Sequence, residues 1–212
     1  MKTRIIGDIH GMIYDYQAHC IHDFNGPTIQ VGDFGIGYHN DFWHDNIAAW
    51  QEASPSHRFI RGNHDDPTRC KTMPGFIKDG TIENDVMFIG GAWSIDGLGK
   101  THGVGWWRDE ECSIEQFNQF IDIYATMKPR VMITHDGPSK VTNEMFIQTG
   151  LAIGGANARQ ITTRTSAALQ AMLDIHQPEE WYFGHWHHTM LYKYGKTMFH
   201  CIGILDYVDV EL

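Results

Sequence analysis

Short apolar segments alternate with helical patterns along the chain, and this alternation limits the folds open to it. The predicted strands are residues 3–7, 28–31, 58–61, 86–89, 130–134, 181–183, 189–194 and 197–202. The predicted helices are residues 12–22, 40–52, 113–127 and 162–176. Strands that alternate with helices form βαβ units around a sheet buried on both faces. The sequence therefore predicts an α/β fold, and because it shows no repeat or linker it predicts a single domain over residues 1–212.

Local signals support some of these elements. Asn40 is a predicted helix N-cap, and Ser113 followed three residues later by Gln116 resembles a capping box. Gly195 and Lys196 separate the last two predicted strands and indicate a hairpin turn. Residues 138–159 contain no predicted element, and a long connection of this kind is often a functional lid.

Glycine, aspartate, histidine and asparagine cluster in five short segments, each of which follows a predicted strand. The segments are Gly7-Asp8-Ile9-His10-Gly11, Gly32-Asp33-Phe34-Gly35, Gly62-Asn63-His64-Asp65, Thr134-His135-Asp136-Gly137 and Gly184-His185-Trp186-His187. Glycine allows the backbone to turn sharply and to approach a ligand closely. Ligands of open α/β sheets bind beyond the carboxyl ends of the strands, so these segments predict one common site.

The side chains of this predicted site are those of a metal centre. Imidazole and carboxylate ligands without cysteine favour Mn²⁺, Fe, Zn²⁺, Ni²⁺ or Co²⁺ over Ca²⁺. The alternation in Asp8-x-His10 and in His185-x-His187 places two side chains on one side of an extended segment. The two oxygens of a carboxylate such as Asp33 can bridge two ions. Two such ions about 3.5–4 Å apart can clamp an in-line displacement and lower the pKa of a bound water.

The order of these motifs resembles the calcineurin-like metallophosphoesterase superfamily over residues 7–187. The resemblance implies a four-layer α-β-β-α sandwich, with two mixed sheets flanked by helices, and a dinuclear metal site. The ligands that it implies for the first ion are Asp8, His10, Asp33 and His187. Those for the second ion are Asp33, Asn63, His135 and His185. Mn²⁺ is the expected ion, with Fe, Zn²⁺, Ni²⁺ or Co²⁺ as alternatives, and Asp33 is expected to bridge the pair.

The resemblance also implies that His64 and Asp33 are catalytic residues. A histidine at this position lies next to the scissile phosphate in the family and protonates the leaving oxygen or stabilises its charge. The alternative is a core histidine whose hydrogen bonds are satisfied. Asp65 either orients His64 or caps the next turn. Arg61 matches the Arg-Gly-Asn-His pattern of protein phosphatases, but their second-motif arginine and their glutamate after the histidine are absent here.

Arginines outside the motifs are candidate substrate contacts. Besides Arg61, we expect Arg108, Arg159 and Arg164 to contact phosphate, and solvated surface charge is the alternative. Trp106 and Trp107 are either a stacking platform at the rim of the site or packed filler.

Composition excludes several classes of protein. The net charge of −10 argues against an extended nucleic-acid footprint, because phosphate contacts supply most non-specific affinity. We expect no membrane span and no secretory signal, and hence a cytoplasmic location. The four cysteines form no C-x-x-C pair.

The sequence therefore favours a metal-dependent phosphoester hydrolase, either a phosphodiesterase or a phosphomonoesterase. Its expected substrates are a nucleotide, a small phosphate ester or a phosphoprotein. A Ser/Thr protein phosphatase is the alternative within the same chemistry. A metal-binding scaffold without catalysis is the alternative of another class.

Overall fold

The computed structural model describes residues 2–38, 40–95, 97, 101–103, 105–149 and 162–212. The strands are β1 (Lys2–Ile6), β2 (Thr28–Gln30), β3 (His57–Phe59), β4 (Ile82–Glu83), β5 (Val86–Ile89), β6 (Val131–Thr134), β7 (Glu180–Phe183), β8 (Met190–Tyr194), β9 (Thr197–Cys201) and β10 (Tyr207–Glu211). The α-helices are α1 (Ile13–Asp15), α2 (Asp41–Ala53), α3 (Pro67–Cys70), α4 (Ile114–Met127), α5 (Ser139–Thr149) and α6 (Arg164–Ile175), and α1 continues as a π-helix over Tyr16–Ile21. Among the described helices, none has the length and apolar character needed to cross a bilayer.

The strands form two mixed sheets. The first has the order β10-β1-β2-β3, in which β1, β2 and β3 are parallel and β10 pairs antiparallel with β1. The second has the order β4-β5-β6-β7-β9-β8, with four parallel central strands and an antiparallel strand at each edge. This confirms the predicted α/β class with two mixed sheets.

Alternation along the strands builds separate apolar cores on the two faces of each sheet. Ile5 packs between the sheets with Val131 and Tyr182, whereas its neighbour Ile6 packs on the opposite face beneath α2. Successive strand residues point to opposite faces, so both faces of this sheet are buried. A further core joins the outer face of the second sheet to α4 and α6 through residues such as Leu169. Helices therefore flank the paired sheets on both sides.

Four described elements, which are α3, β4, α5 and β10, were not predicted from sequence. Strand β10 pairs with β1 over five residues, and Arg4 on β1 binds Asp209 on β10 through two hydrogen bonds of 2.7 and 3.0 Å. Helix α5 occupies the first part of the segment expected to be a long lid. Its Met145 and Phe146 are buried, so this part of the connection packs against the core. Residues 150–161 of the expected lid, which include Arg159, lie outside the described residues.

Candidate metal centre

The five motif segments meet where the carboxyl ends of the two sheets come together. Three of them follow the parallel strands β1, β2 and β3 of the first sheet, and two follow β6 and β7 of the second. Contacts between their side chains connect all seven predicted metal ligands, which are Asp8, His10, Asp33, Asn63, His135, His185 and His187. The fold thus brings together at one site residues that are up to about 180 positions apart.

The first group of ligands consists of Asp8, His10, Asp33 and His187, whose ligand atoms all lie within 4.8 Å of one another. The Nε2 atoms of His10 and His187 are 2.9 Å apart, and His187 Nε2 is 3.3 Å from Asp8 Oδ2. The carboxylates of Asp8 and Asp33 are almost fully buried. Two buried anions beside two imidazoles suit a bound cation, because a buried charge requires a partner.

The second group is built around the side-chain oxygen of Asn63. This Oδ1 atom is 2.9 Å from His135 Nε2 and 2.9 Å from His185 Nδ1. Asp33 contacts both groups, since its Oδ2 is 3.8 Å from His10 Nδ1 and its Oδ1 is 3.6 Å from His135 Nε2. The arrangement agrees with the predicted bridging position of Asp33.

The hydrogen bonds of His135 show that a cation fits the second group. Its Nδ1 lies 2.8 Å from the carbonyl oxygen of Val31, which can only accept, so Nδ1 carries a hydrogen. In the neutral imidazole the Nε2 lone pair then faces the Asn63 oxygen, another acceptor, at 2.9 Å. A positive charge between the two acceptors removes this conflict, supplied either by a proton on Nε2 or by a bound cation. The Val31 contact is also the kind of outer hydrogen bond that fixes the tautomer of a metal-binding histidine.

The pKa shifts of the residues in the second group also favour a positive charge at this position. Burial lowers the pKa of His135, but the charge and hydrogen bond of Asp33, the charge of Asp8 and the Val31 hydrogen bond together raise that pKa to about 9. Burial would raise the pKa of Asp33, but the charge and hydrogen bond of His135 hold it well below its usual range. Burial, followed by the charge of His135, lowers the pKa of His185. The site therefore favours extra positive charge beside Asp33, and a divalent ion supplies it while leaving the imidazoles neutral.

Backbone conformation sets the directions of four ligands. His10, Asp33, His185 and His187 have positive φ angles of 44°, 56°, 67° and 57°. Residues other than glycine seldom adopt this left-handed region, and each such residue costs about 1–3 kcal/mol that the surrounding structure must offset. At Gly62 a Cβ atom would collide with the carboxylate of Asp33. The glycine of this motif is thus explained by close approach to a ligand.

Asp65 holds the loops that carry the ligands. Its buried carboxylate accepts hydrogen bonds from the backbone N–H groups of Phe34, Gly35, Ile36 and Gly62 at 2.7–3.0 Å. These contacts join the loop after β2 to the loop after β3. The structural alternative for Asp65 is therefore supported, although its role is to connect two loops rather than to cap a turn.

Two residues missed by the sequence analysis support Asn63. Its Nδ2 donates to Ser94 Oγ at 2.9 Å, and Ser94 Oγ donates to Glu110 Oε2 at 2.5 Å. Glu110 also accepts from the Ser94 backbone N–H at 2.9 Å, and both residues are buried. This relay points Nδ2 away from the imidazoles and so directs Oδ1 toward them. The double glycine Gly90-Gly91 marks this additional strand end in the sequence, but it does not reveal the roles of Ser94 and Glu110.

His64 lies beside the cluster and is partly exposed. Its backbone N–H donates to Asp33 Oδ1 at 2.8 Å, and its Nδ1 lies 2.9 Å from the carbonyl oxygen of Gly105. Because a carbonyl only accepts, Nδ1 is the donor, and Nε2 is the nitrogen left to exchange a proton.

A cavity of about 240 Å³ opens beside the ligands. It is lined by Asp33, Asn63, His64, Trp93, Ile95, Asp136, Thr163, Ser166, His185, Trp186 and His187. Neither Trp106 nor Trp107 is in this lining, and Trp107 is buried, which agrees with its alternative as packed filler.

Three of the predicted substrate-binding arginines are among the described residues, and none of the three lines the cavity at the ligands. Arg61 is buried, and it donates to Asp79 Oδ2 at 2.8 Å and to the carbonyl oxygen of Glu110 at 2.5 Å. Arg61, Arg108 and Arg164 line a different pocket, which shares no residue with the cavity at the ligands. The structure thus does not bring these three arginines to the cluster. Arg61 is paired with Asp79, and Arg164 lies 3.5 Å from Glu111.

Comparison with known proteins assigns no family to the chain. No protein-family model matches it, and no curated protein matches it. Fold alone does not fix function, so the function has to be inferred from the chemistry of the site.

Proposed function

We propose that this chain is a metal-dependent phosphoester hydrolase of the calcineurin-like metallophosphoesterase type, acting on a phosphodiester or a phosphomonoester. The observation that carries the proposal is the buried carboxylate of Asp33 between two groups of Asp, His and Asn ligands. The paired mixed sheets with helices on both sides are compatible with the four-layer sandwich of that superfamily.

The residues present fit two divalent cations, with Mn²⁺ as the expected ion. Asp8, His10, Asp33 and His187 would hold one ion, and Asp33, Asn63, His135 and His185 would hold the other. When bound, such a pair lowers the pKa of a bridging water toward neutrality and stabilises charge on the phosphoryl oxygens. The two buried aspartates supply negative charge that would balance those ions, and the neutral Asn63 amide supplies an oxygen ligand.

His64 is the residue of the chain that we assign to proton transfer. The Gly105 carbonyl holds its Nδ1–H, so Nε2 can donate a proton to the leaving oxygen when the ring is charged. The His64 backbone N–H also fixes the orientation of Asp33, which couples the position of the proton donor to that of the bridging carboxylate.

The first test is metal-dependent hydrolysis of nitrophenyl phosphate and bis-nitrophenyl phosphate by the full chain in Mn²⁺, Ni²⁺ and Zn²⁺. Bound metal is counted in parallel by elemental analysis. Asp33→Asn is compared with Asp23→Asn, whose side chain is 94% exposed. We expect two ions per parent chain, activity lost on chelation and restored by Mn²⁺, and at least a hundredfold loss in Asp33→Asn alone.

The two substrates distinguish the proposed activities. A preference for the diester indicates a phosphodiesterase, and a preference for the monoester indicates a phosphatase whose next substrates are phosphopeptides. Two bound ions without turnover of either ester, and with no effect of Asp33→Asn beyond metal loss, would replace the proposal with a metal-binding scaffold. Turnover that is unaffected by chelation would contradict the metal site itself.

A further inference from the structure

We infer that the cavity beside the ligands is a subsite for an uncharged planar aromatic group carried by the phosphoester. This inference rests on the proposed function and narrows its substrate class to aryl-bearing or nucleobase-bearing esters. It is carried by three side chains of the cavity, Trp93, Ile95 and Trp186, which the metal chemistry does not use.

The apolar side chains lie next to the reacting position. Trp93, Ile95 and Trp186 line the same cavity as Asp33 and His64. Both tryptophans are partly exposed, and Ile95 is 37% exposed, so part of each side chain is accessible to a ligand. A group attached to a phosphorus atom at the ligands would extend along these three apolar side chains.

Trp186 is held in place before any ligand binds. Its Nε1 donates to Asp136 Oδ1 at 3.0 Å, and its ring packs on Phe146 with centroids 4.5 Å apart. It also contacts the ring of His185 at a centroid distance of 5.4 Å. A ring that is fixed by three neighbours loses little freedom on binding, which favours affinity.

The charge of the cavity lining favours an uncharged aromatic group over an anionic one. Among the lining residues that the structure describes, there is no lysine or arginine to receive a second anionic group. Asp136 adds a buried carboxyl, and the hydroxyls of Thr163 and Ser166 are occupied by each other at 3.0 Å. An uncharged aromatic ring therefore suits this lining better than an additional phosphate or carboxylate.

The test compares phenylphosphonate with methylphosphonate, measured by isothermal titration calorimetry on the Mn²⁺-loaded full chain. The two probes share one charged group and differ in the phenyl ring, and their carbon–phosphorus bond is not a phosphoester. We expect phenylphosphonate to bind parent protein about tenfold more tightly. Trp93→Ala and Ile95→Ser should reduce that preference to about threefold or less, whereas Phe42→Ala, at a site 77% exposed on α2, should leave it unchanged.

Equal affinity of the two phosphonates for parent protein would overturn the subsite. This outcome does not depend on any variant, and Ile95→Ser changes an exposed position if Trp93→Ala fails to fold. Binding is measured without hydrolysis, so the subsite and the proposed function fail separately. A chain that hydrolyses nitrophenyl phosphate but shows no phenyl preference loses the subsite, and a chain with the preference but without turnover loses the hydrolase.

Discussion

Asn63 needs more support than the charged ligands, because its amide can present either an oxygen acceptor or a nitrogen donor to a metal. Ser94 accepts from the nitrogen, and Glu110 accepts in turn from the Ser94 hydroxyl. The glutamate therefore orients Asn63, a proposed metal ligand, through the intermediate Ser94 hydroxyl. Outer contacts of this kind commonly change metal affinity 10–100-fold.

We expect Glu110→Gln to weaken the second metal position. The glutamine nitrogen is a donor, and it would face either the Ser94 hydroxyl or the Ser94 backbone N–H, both of which donate to Glu110. Ser94 would therefore lose one of its two contacts with residue 110, and Asn63 would lose its fixed amide. The expected result is about 10–100-fold weaker binding of one of two ions and a changed visible spectrum of the Co²⁺-loaded chain. Glu115→Gln, on the exposed first turn of α4, is the control. An unchanged spectrum and two ions at parent affinity would contradict the positioning role.

His64 gives a second prediction at this scale. Its side chain contacts the cavity and the Gly105 carbonyl, so His64→Asn should keep the fold and both ions. We expect kcat to fall about 10²–10⁴-fold, with most of the loss on the substrate that has the poorer leaving group. Steady-state kinetics of a nitrophenyl and an alkyl ester measure this, with His19→Asn, 71% exposed, as the control. An equal loss on both esters would argue against proton donation.

At the scale of the elements, α4 provides a prediction that was already present in the sequence. The Ser113 hydroxyl accepts from the Gln116 N–H at 3.2 Å, and the Gln116 side chain accepts from the Ser113 N–H at 2.8 Å. Ser113→Ala should lower the free energy of unfolding by about 1 kcal/mol, because the cap is lost. Urea titration measures the change, and the exposed Ser56→Ala is the control. A change in metal content instead would mean that α4 supports the site directly.

Elements with strong local signals were predictable, and elements that depend on distant partners were not. The Asn40 cap, the Ser113 capping box and the hairpin at Gly195 were predicted and are confirmed. Strand β10 was missed because its five residues form a strand only by pairing with β1, at the other end of the chain. Helix α5 was missed because polar and β-branched residues fill much of it, and burial of Met145 and Phe146 stabilises it.

The residues of the candidate site were also predictable only where they belong to a local sequence motif. Each proposed metal ligand lies in a short segment that follows a strand and contains glycine, so its type and order were visible in the sequence. Ser94 and Glu110 were not, because a hydroxyl and a carboxylate 16 residues apart carry no common motif. The arginines were misplaced because a positive charge in the sequence does not show whether it faces solvent or pairs internally, as Arg61 does with Asp79.

At the scale of the whole molecule, the pairing of β1 with β10 joins distant parts of the chain. Hydrogen bonding to Arg4 lowers the pKa of Asp209, so this carboxylate stays charged to lower pH when folded than when unfolded. Its contribution is therefore present above the unfolded pKa of about 3.9 and is lost as pH falls through the folded pKa. The pair is partly exposed to solvent, which limits its size to roughly 1 kcal/mol.

Asp209→Asn should accordingly destabilise the chain by up to about 1 kcal/mol at pH 7, and this loss should shrink as the pH falls below the unfolded pKa of about 3.9 and through the lowered folded pKa. Urea unfolding at a series of pH values measures the difference, with the exposed Glu52→Gln as the control. A loss of stability that stays the same across the whole pH series would show that packing of Arg4 on Phe24 and Tyr207, rather than the ion pair, holds the strands together.

The contact between His10 and His187 spans 177 positions of the chain. A ribosome adding about 5–20 residues per second needs on the order of ten to thirty seconds to travel that distance. During this time the growing polypeptide carries Asp8, His10 and Asp33 without the histidines that complete either group. Binding of the two proposed ions would therefore be completed only after most of the chain has been synthesised, and until then the earliest proposed ligands would be exposed to whichever cations the cell supplies.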